Sequence, residues 1–236
     1  MSNDYFRFKR FTVKQDRTAM KVGTDGVLLG AWVAVNGSEK NVLDIGTGTG
    51  LLALMMAQKI PDAKITACEI DESACRQAIE NISSAGWSER ITVINTDIRA
   101  YAPNSEKFDL ITCNPPYFEK SLKSRDGKRN LARHNDSLPF PDLMDCVHRL
   151  LRDDGRFALI VPEKKVGTII ELAAGKKLFP ARRLNVKYRE TGTTDRVILE
   201  LSCIVRQPEE TTLTVRTENG YSDEYKSVTK EFYLYS

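Results

Sequence analysis

Two stretches of the chain combine residue types that can do chemistry. The first is Asn114-Pro115-Pro116-Tyr117, which follows the apolar run from Phe108 to Cys113. A planar NH₂ group is a poor nucleophile because its lone pair is delocalised. Two acceptors, the Asn114 side-chain oxygen and the Pro115 carbonyl, could bind both of its hydrogens and localise that pair for attack on an electrophilic methyl group. The resulting cation loses its proton easily, so no strong base is needed beforehand. Tyr117 would stack on a flat substrate group, an interaction worth roughly 1–3 kcal/mol for a nucleic acid base. Standing alone, the same four residues also read as a strand terminus with an ordinary capping Asn.

The second stretch is Asp44-Ile45-Gly46-Thr47-Gly48-Thr49-Gly50, with Glu69 at the end of the following strand. Glycines in such a turn let the backbone approach a ligand, and a carboxylate after the second strand can accept hydrogen bonds from a ribose diol. Dinucleotide sites share this layout, but they typically carry Gly or Ala one place after Gly50, where this chain has Leu51. Asp44 would repel a pyrophosphate and attract a cationic amino group. The pattern therefore favours S-adenosylmethionine over an NAD-type ligand, with a ligand-free structural turn as the bland alternative. Gly46, Thr47, Gly48, Gly50, Glu69, the adjoining Ile70 and Asn114 become cofactor candidates. Asp97, followed by Ile98, suits the adenine amino group or, equally, a helix cap.

Positioning these groups requires alternating strands and helices. Short apolar strands are expected at Asn41–Gly46, Lys64–Glu69, Ile91–Asn95 and Phe108–Asn114, and a fifth at Gly155–Val161. Helical periodicity falls between them, at Thr47–Ala57, Asp71–Ile82 and Phe140–Leu151, and this alternation implies a doubly wound, mostly parallel, Rossmann-like α/β sheet. Pro115 and Pro116 must end the fourth strand, because proline offers no N–H to a ladder and restricts the residue before it. Asn114 then sits at a carboxyl edge, where open α/β sheets bind ligands. Leu184–Tyr188 and Arg196–Val205 predict an antiparallel C-terminal hairpin forming the sheet's edge. A capped helix is expected from Thr24-Asp25 onward. The alternating aromatic and basic residues of Tyr5–Gln15 predict a half-buried edge strand with a solvated basic face.

Composition bounds the rest. At 236 residues, with 41% hydrophobic and 28% charged residues and a mean hydropathy of −0.36, the chain suits one α/β domain over residues 1–236. It would carry an N-terminal extension over about 1–35 and a C-terminal tail over about 207–236. No apolar run is long enough to span a membrane, and the charged, aromatic start lacks the pattern of a signal peptide, so a cytoplasmic protein with no membrane partner is expected. Five scattered cysteines without a C-x-x-C pair suit reduced thiols, and two histidines without ligand spacing argue against a metal. A monomer is expected. The net charge of +3 permits a polyanionic partner without demanding one. Lys120, Lys123, Arg125, Lys128, Arg129 and Arg133 form a basic run after the Asn-Pro-Pro-Tyr stretch, suited to RNA phosphates or to a solvated surface. Lys176, Lys177, Arg182 and Arg183 read as solvated.

The order of these motifs resembles the class I S-adenosylmethionine-dependent methyltransferases, and Asn-Pro-Pro-Tyr resembles the signature of their amino-group methylating branch. More closely, Phe11–Gln15, Met20–Asp25, Leu28–Trp32, Asn114–Phe118, Ala132–His134 and Phe232–Leu234 are similar to segments of the tRNA1(Val) (adenine(37)-N6)-methyltransferase family. The resemblance runs nearly end to end. It implies that Lys21, Thr24 and Asp25 help close the cofactor site, and that the substrate is tRNA, methylated at adenine N6 beside the anticodon. From the residues alone, the same acceptors would also fit a guanine of rRNA or a glutamine of a protein.

Overall fold

The structure is a computed structural model that describes residues 3–18, 20–103, 107–116 and 138–234. Tyr117, the basic run from Lys120 to Arg133, and His134 lie outside the described residues. The chain begins with β1 (Tyr5–Arg7), β2 (Thr12–Lys14) and α1 (Thr24–Trp32). Then follow β3 (Asn41–Ile45), α2 (Leu51–Lys59), β4 (Lys64–Glu69), α3 (Glu72–Ala85), β5 (Ile91–Asn95) and β6 (Phe108–Cys113). After these come α4 (Phe140–Leu150), β7 (Leu151–Pro162), a 3₁₀ turn (Glu163–Lys165) and α5 (Val166–Ala174). The chain closes with β8 (Phe179–Arg189), β9 (Arg196–Ser202), β10 (Glu209–Thr217), β11 (Gly220–Tyr221) and α6 (Asp223–Thr229).

One nine-stranded sheet runs in the order β11-β10-β8-β9-β7-β6-β3-β4-β5. Strands β3 to β7 pair in parallel, as the alternation of strands and helices predicts. The side chains of β3 and β6, and most of those in β4 and the second half of β7, are buried or half-buried on both faces, which is why these strands read as nearly unbroken apolar runs. One core cluster joins α1 and α2 to the sheet, and a second lies on the opposite face with Leu143, Val147 and Ile169 of α4 and α5. The chain leaves β3 toward β4 on one side and returns to β6 on the other. The crevice between β3 and β6 is therefore the topological switch point.

Three local expectations are corrected. The antiparallel hairpin exists, but it is not the edge: β9 sits between β7 and β8, and β10 runs parallel to β8 beyond it. The alternation of Leu213 and Val215, both buried in the core, carries β10 into the sheet. The N-terminal segment is not an edge strand either. It forms its own two-stranded sheet, whose connection buries Phe8 and Phe11 against Trp87 and Tyr233. Asn81 of α3 holds it by exchanging hydrogen bonds with the Lys14 backbone at 2.8 and 2.9 Å. Finally, α1 starts without a side-chain cap, because its N-cap position is held by Gly23, which has no side chain to accept from the first turn.

The turn between β3 and α2 needs left-handed backbone at Gly46, Gly48 and Gly50, with φ of +69°, +56° and +84°. At Gly50 an added Cβ would also lie 3.4 Å from the Ala78 Cβ. The strain of an L-residue there costs about 1–2 kcal/mol. Gly50→Ala is expected to lower unfolding stability by that amount, measured by urea denaturation, with unchanged stability as the contrary result.

Candidate functional site

A cavity of about 530 Å³ opens at the carboxyl ends of β3, β4, β5 and β6. Of the residues singled out in the sequence, Lys21, Gly46, Thr47, Gly48, Glu69, Ile70, Asp97, Ile98, Asn114, Pro115 and Pro116 line it. Thr24, Asp25, Asp44 and Gly50 do not. Residues without a sequence signal complete the walls, among them Leu51, Leu52, Cys113 and Leu138, which make part of the lining apolar.

Asp44 lies behind the cavity wall with no exposed surface. It accepts hydrogen bonds from the Thr47 hydroxyl at 2.6 Å and the Thr112 hydroxyl at 3.1 Å. Burial pushes its pKa up to about 6, against the pull of those two hydroxyls, and the nearby negative charge of Glu69 adds to the rise. Thr112 has no motif to announce it; only its position two residues before Asn114 links it to the site.

Glu69 joins the glycine turn to the next strand. Its carboxylate accepts from the backbone N–H of Gly48 at 2.8 Å and of Asp71 at 3.0 Å. Each oxygen keeps acceptor capacity, so the group can still bind a vicinal diol on the cavity side. Asp97 is held by Arg99, whose guanidinium reaches both carboxylate oxygens at 2.6 to 3.0 Å. These bonds keep the Asp97 carboxyl below its ordinary value. Arg99 also reaches Asp142 of α4 at 3.4 Å, and Arg149 of the same helix donates to the Tyr101 and Ile98 carbonyls. The loop after β5 is thereby fastened to α4.

Asp25 acts at a distance from the cavity. It accepts from the Tyr188 hydroxyl and, at 3.0 Å, from Arg196, which ties α1 to β8 and β9. Burial, together with the Asp25 charge, raises the Tyr188 pKa and keeps that phenol protonated. The tie fixes α1 over the site, where a Cβ on Gly26 would lie 3.5 Å from the Asn114 side-chain nitrogen. Cys68 and Cys113 also line the cavity, and burial raises both thiols, Cys68 to about 12, so neither is a nucleophile at neutral pH. Among the described residues no group of His, Cys, Asp and Glu could hold a metal ion. Nor is any described helix long and apolar enough to cross a membrane.

Residues 21–137 match the family model of the methyltransferase small domain. A tRNA1(Val) (adenine(37)-N6)-methyltransferase from Bacteroides thetaiotaomicron is 45% identical over 241 residues, covering 100% of this chain and 99% of the relative. The chain belongs to the tRNA1(Val) (adenine(37)-N6)-methyltransferase family. A member from Vibrio parahaemolyticus is 39% identical, covering 97% of this chain and 95% of its own. Among solved structures, a predicted O-methyltransferase from Agrobacterium tumefaciens superposes with a TM-score of 0.67 at 18% identity, covering 88% of this chain and 96% of that one. This likeness shows the fold, that of the class I methyltransferases. Membership of the family makes the chain a methyltransferase whose methyl donor is S-adenosylmethionine.

The cavity suits that donor on its own chemistry. A Cβ at Gly46 or Gly48 would meet no atom within 4 Å, so the turn presents bare backbone. Glu69 offers acceptors for a sugar diol, and Ile98, Leu51 and Leu138 offer apolar surface for a purine. Because Asp44 is buried with a raised pKa, its contribution to stability is fully present below about pH 4 and is lost as pH rises through about 6. The difference is on the order of 3 kcal/mol. Asp44→Asn is expected to remove this component, so that the variant loses less stability than the native protein between pH 4.5 and 7.5 in denaturant titrations; an equal loss in both would contradict it.

Proposed function

We propose that this enzyme methylates N6 of adenosine 37 in tRNA1(Val), with the substrate amine held by Asn114 and the Pro115 carbonyl. The observation that carries the reading is the placement of Asn114-Pro115-Pro116 at the end of β6, in the wall of the cavity formed by the glycine turn and Glu69. The nearly full-length similarity to relatives named for this activity supports the choice of substrate.

When bound, S-adenosylmethionine supplies an electrophilic methyl group on a sulfonium. Glu69 would hold the ribose diol, Asp97 and Ile98 the adenine, and Gly46, Thr47 and Gly48 the remainder of the donor. Asp44 sets the turn through Thr47 and adds negative charge near a cationic ligand. Lys21, on the rim, closes the cavity, while Thr24 and Asp25 contribute through the position of α1. The Asn114 oxygen and the Pro115 carbonyl would accept the two amine hydrogens of the target base and localise the nitrogen lone pair for the new N–C bond, which forms as the donor's S–C bond breaks to leave a neutral thioether. The methylated nitrogen then sheds its proton to water. Tyr117 stacks on the base, and the basic run from Lys120 to Arg133 meets RNA phosphates. The enzyme works as a cytoplasmic monomer.

Incubating the protein with unmodified tRNA and labelled methyl donor, then digesting to nucleosides, is expected to yield N6-methyladenosine at one position. Asn114→Ala should lower kcat by roughly 10²–10³, the size found when one preorganised hydrogen-bonding group is removed from a reacting centre. Its affinity for the methyl donor should stay within about tenfold, a change of roughly 1.4 kcal/mol. Undiminished incorporation by the variant, or label on guanine, would overturn the reading.

A further inference from the structure

The sheet has a second half at its carboxyl edge that the cavity does not use. Because β9 is antiparallel to both β7 and β8, strands β7, β8 and β10 all end on the same edge as β6 and Asn114. Four cations stand at these ends, beside the exposed carboxylates of Glu163, Glu190 and Glu218. Lys165 follows β7, Lys187 and Arg189 close β8, and Arg216 lies near the end of β10. Lys165, Arg189 and Arg216 are exposed and Lys187 is half-buried. Arg189 and Arg216 occupy facing positions in the parallel register, a like-charge pairing that disfavours the sheet.

The opposite ends of the same strands are different. There Arg182 lies 3.6 Å from both Glu200 and Glu209, and Arg183 lies 3.5 Å from Glu210. Those cations, expected from the sequence to be solvated, are neutralised within the fold. At the carboxyl edge, by contrast, no carboxylate among the described residues forms an ion pair with Lys165, Lys187, Arg189 or Arg216. Arg216 instead rests on the Tyr221 ring, 4.5 Å from its centroid. One strand pair thus carries cancelled charge at one end and open charge at the other.

We propose that these cations form a track for the phosphates of the RNA strand that flanks the target base, leading away from Asn114 on the side opposite the methyl donor. At about 4.8 Å per strand, the path from β6 across β7, β9 and β8 to β10 is about 19 Å long. That length spans several nucleotides, and phosphate binding along it is indifferent to sequence. The proposal rests on the reading of tRNA as substrate.

The test compares the native enzyme with the triple variant Lys187→Gln, Arg189→Gln, Arg216→Gln. The variant is expected to show a KM for tRNA raised about tenfold or more, with kcat at saturating tRNA and affinity for S-adenosylmethionine unchanged. The slope of log affinity for tRNA against log salt should become shallower by about 2, roughly 0.7 for each phosphate that is no longer neutralised. An unchanged KM and salt slope, in an enzyme that does methylate tRNA, would overturn the track. Should the native enzyme methylate no tRNA, the proposed function falls, and the salt slope of tRNA binding still decides the track. If the triple variant is unstable, Lys165→Gln with Arg189→Gln, both at exposed positions, is expected to make the slope shallower by about 1.4.

Discussion

The buried Asp44 carboxylate is the interaction on which the site depends. One oxygen takes the hydroxyl of Thr47 in the glycine turn, and the other takes the hydroxyl of Thr112 in β6. A carboxylate removed from water loses solvation that two hydroxyls only partly replace, which is why burial heads the causes of its raised pKa. What the cost secures is registry. The turn and the strand that ends in Asn114 are joined through one side chain, and Glu69 joins the same turn to β4 through the Gly48 N–H. The turn therefore hangs between carboxylates from two adjacent strands. Its three left-handed glycines have little freedom to drift relative to Asn114.

The other wall of the site is held from the far half of the sheet. Helix α1 brings Gly26 against Asn114 at one end, and at the other Lys59 donates to the carbonyls of Gly30, Ala31 and Val33. Burial, with the neighbouring Arg182 and Arg156, lowers the Lys59 pKa to about 8. Arg156 in turn pairs with Glu39 and lies 3.4 Å from Glu200, carboxylates that are almost fully buried. Buried pairs of this kind add little net stability, since desolvation offsets most of their attraction. Their consequence here is positional, because α1 is docked by directed contacts at Asp25 and at its C-terminus rather than by an apolar face alone.

Much of this was legible in the chain. Strands β3 to β6 are short apolar runs closed by Gly46, Asp71, Asp97 and Pro115, and such punctuation survives folding because it is local. The ends of β7 and β8 were harder. Asp153-Asp154-Gly155 reads as a turn after a helix, yet the chain passes directly from α4 into β7, and the irregularity is absorbed where the register to β6 shifts between Phe108 and Leu110. The parallel pairing of β10 with β8 joins segments about 27 residues apart, and a hydrophobic pattern says nothing about which edge a strand will choose. Thr112, Arg99 and Arg149 carry no motif at all. Their roles exist only once β6 lies beside β3 and the loop after β5 lies against α4.

Among the described residues, the unpaired cations of the carboxyl edge lie on one side of β6. On the side of β3, β4 and β5 it carries Asp44 and Glu69, with Asp97 paired to Arg99; on the side of β7, β8 and β10 it carries Lys165, Lys187, Arg189 and Arg216, with Glu163, Glu190 and Glu218 beside them. Strand β6, with Asn114 at its end, is the boundary. A net charge of +3 conceals this, because acidic residues elsewhere, such as Glu200, Glu209 and Glu210, cancel cations at the opposite edge. On the proposed phosphate track, a cationic methyl donor and a polyanionic acceptor would meet this edge on opposite sides of Asn114. The parallel direction of β6, β7, β8 and β10 is what brings both halves to one edge. The α5 crossover carries the chain from β7 to the parallel β8, and β9 then returns antiparallel between the two.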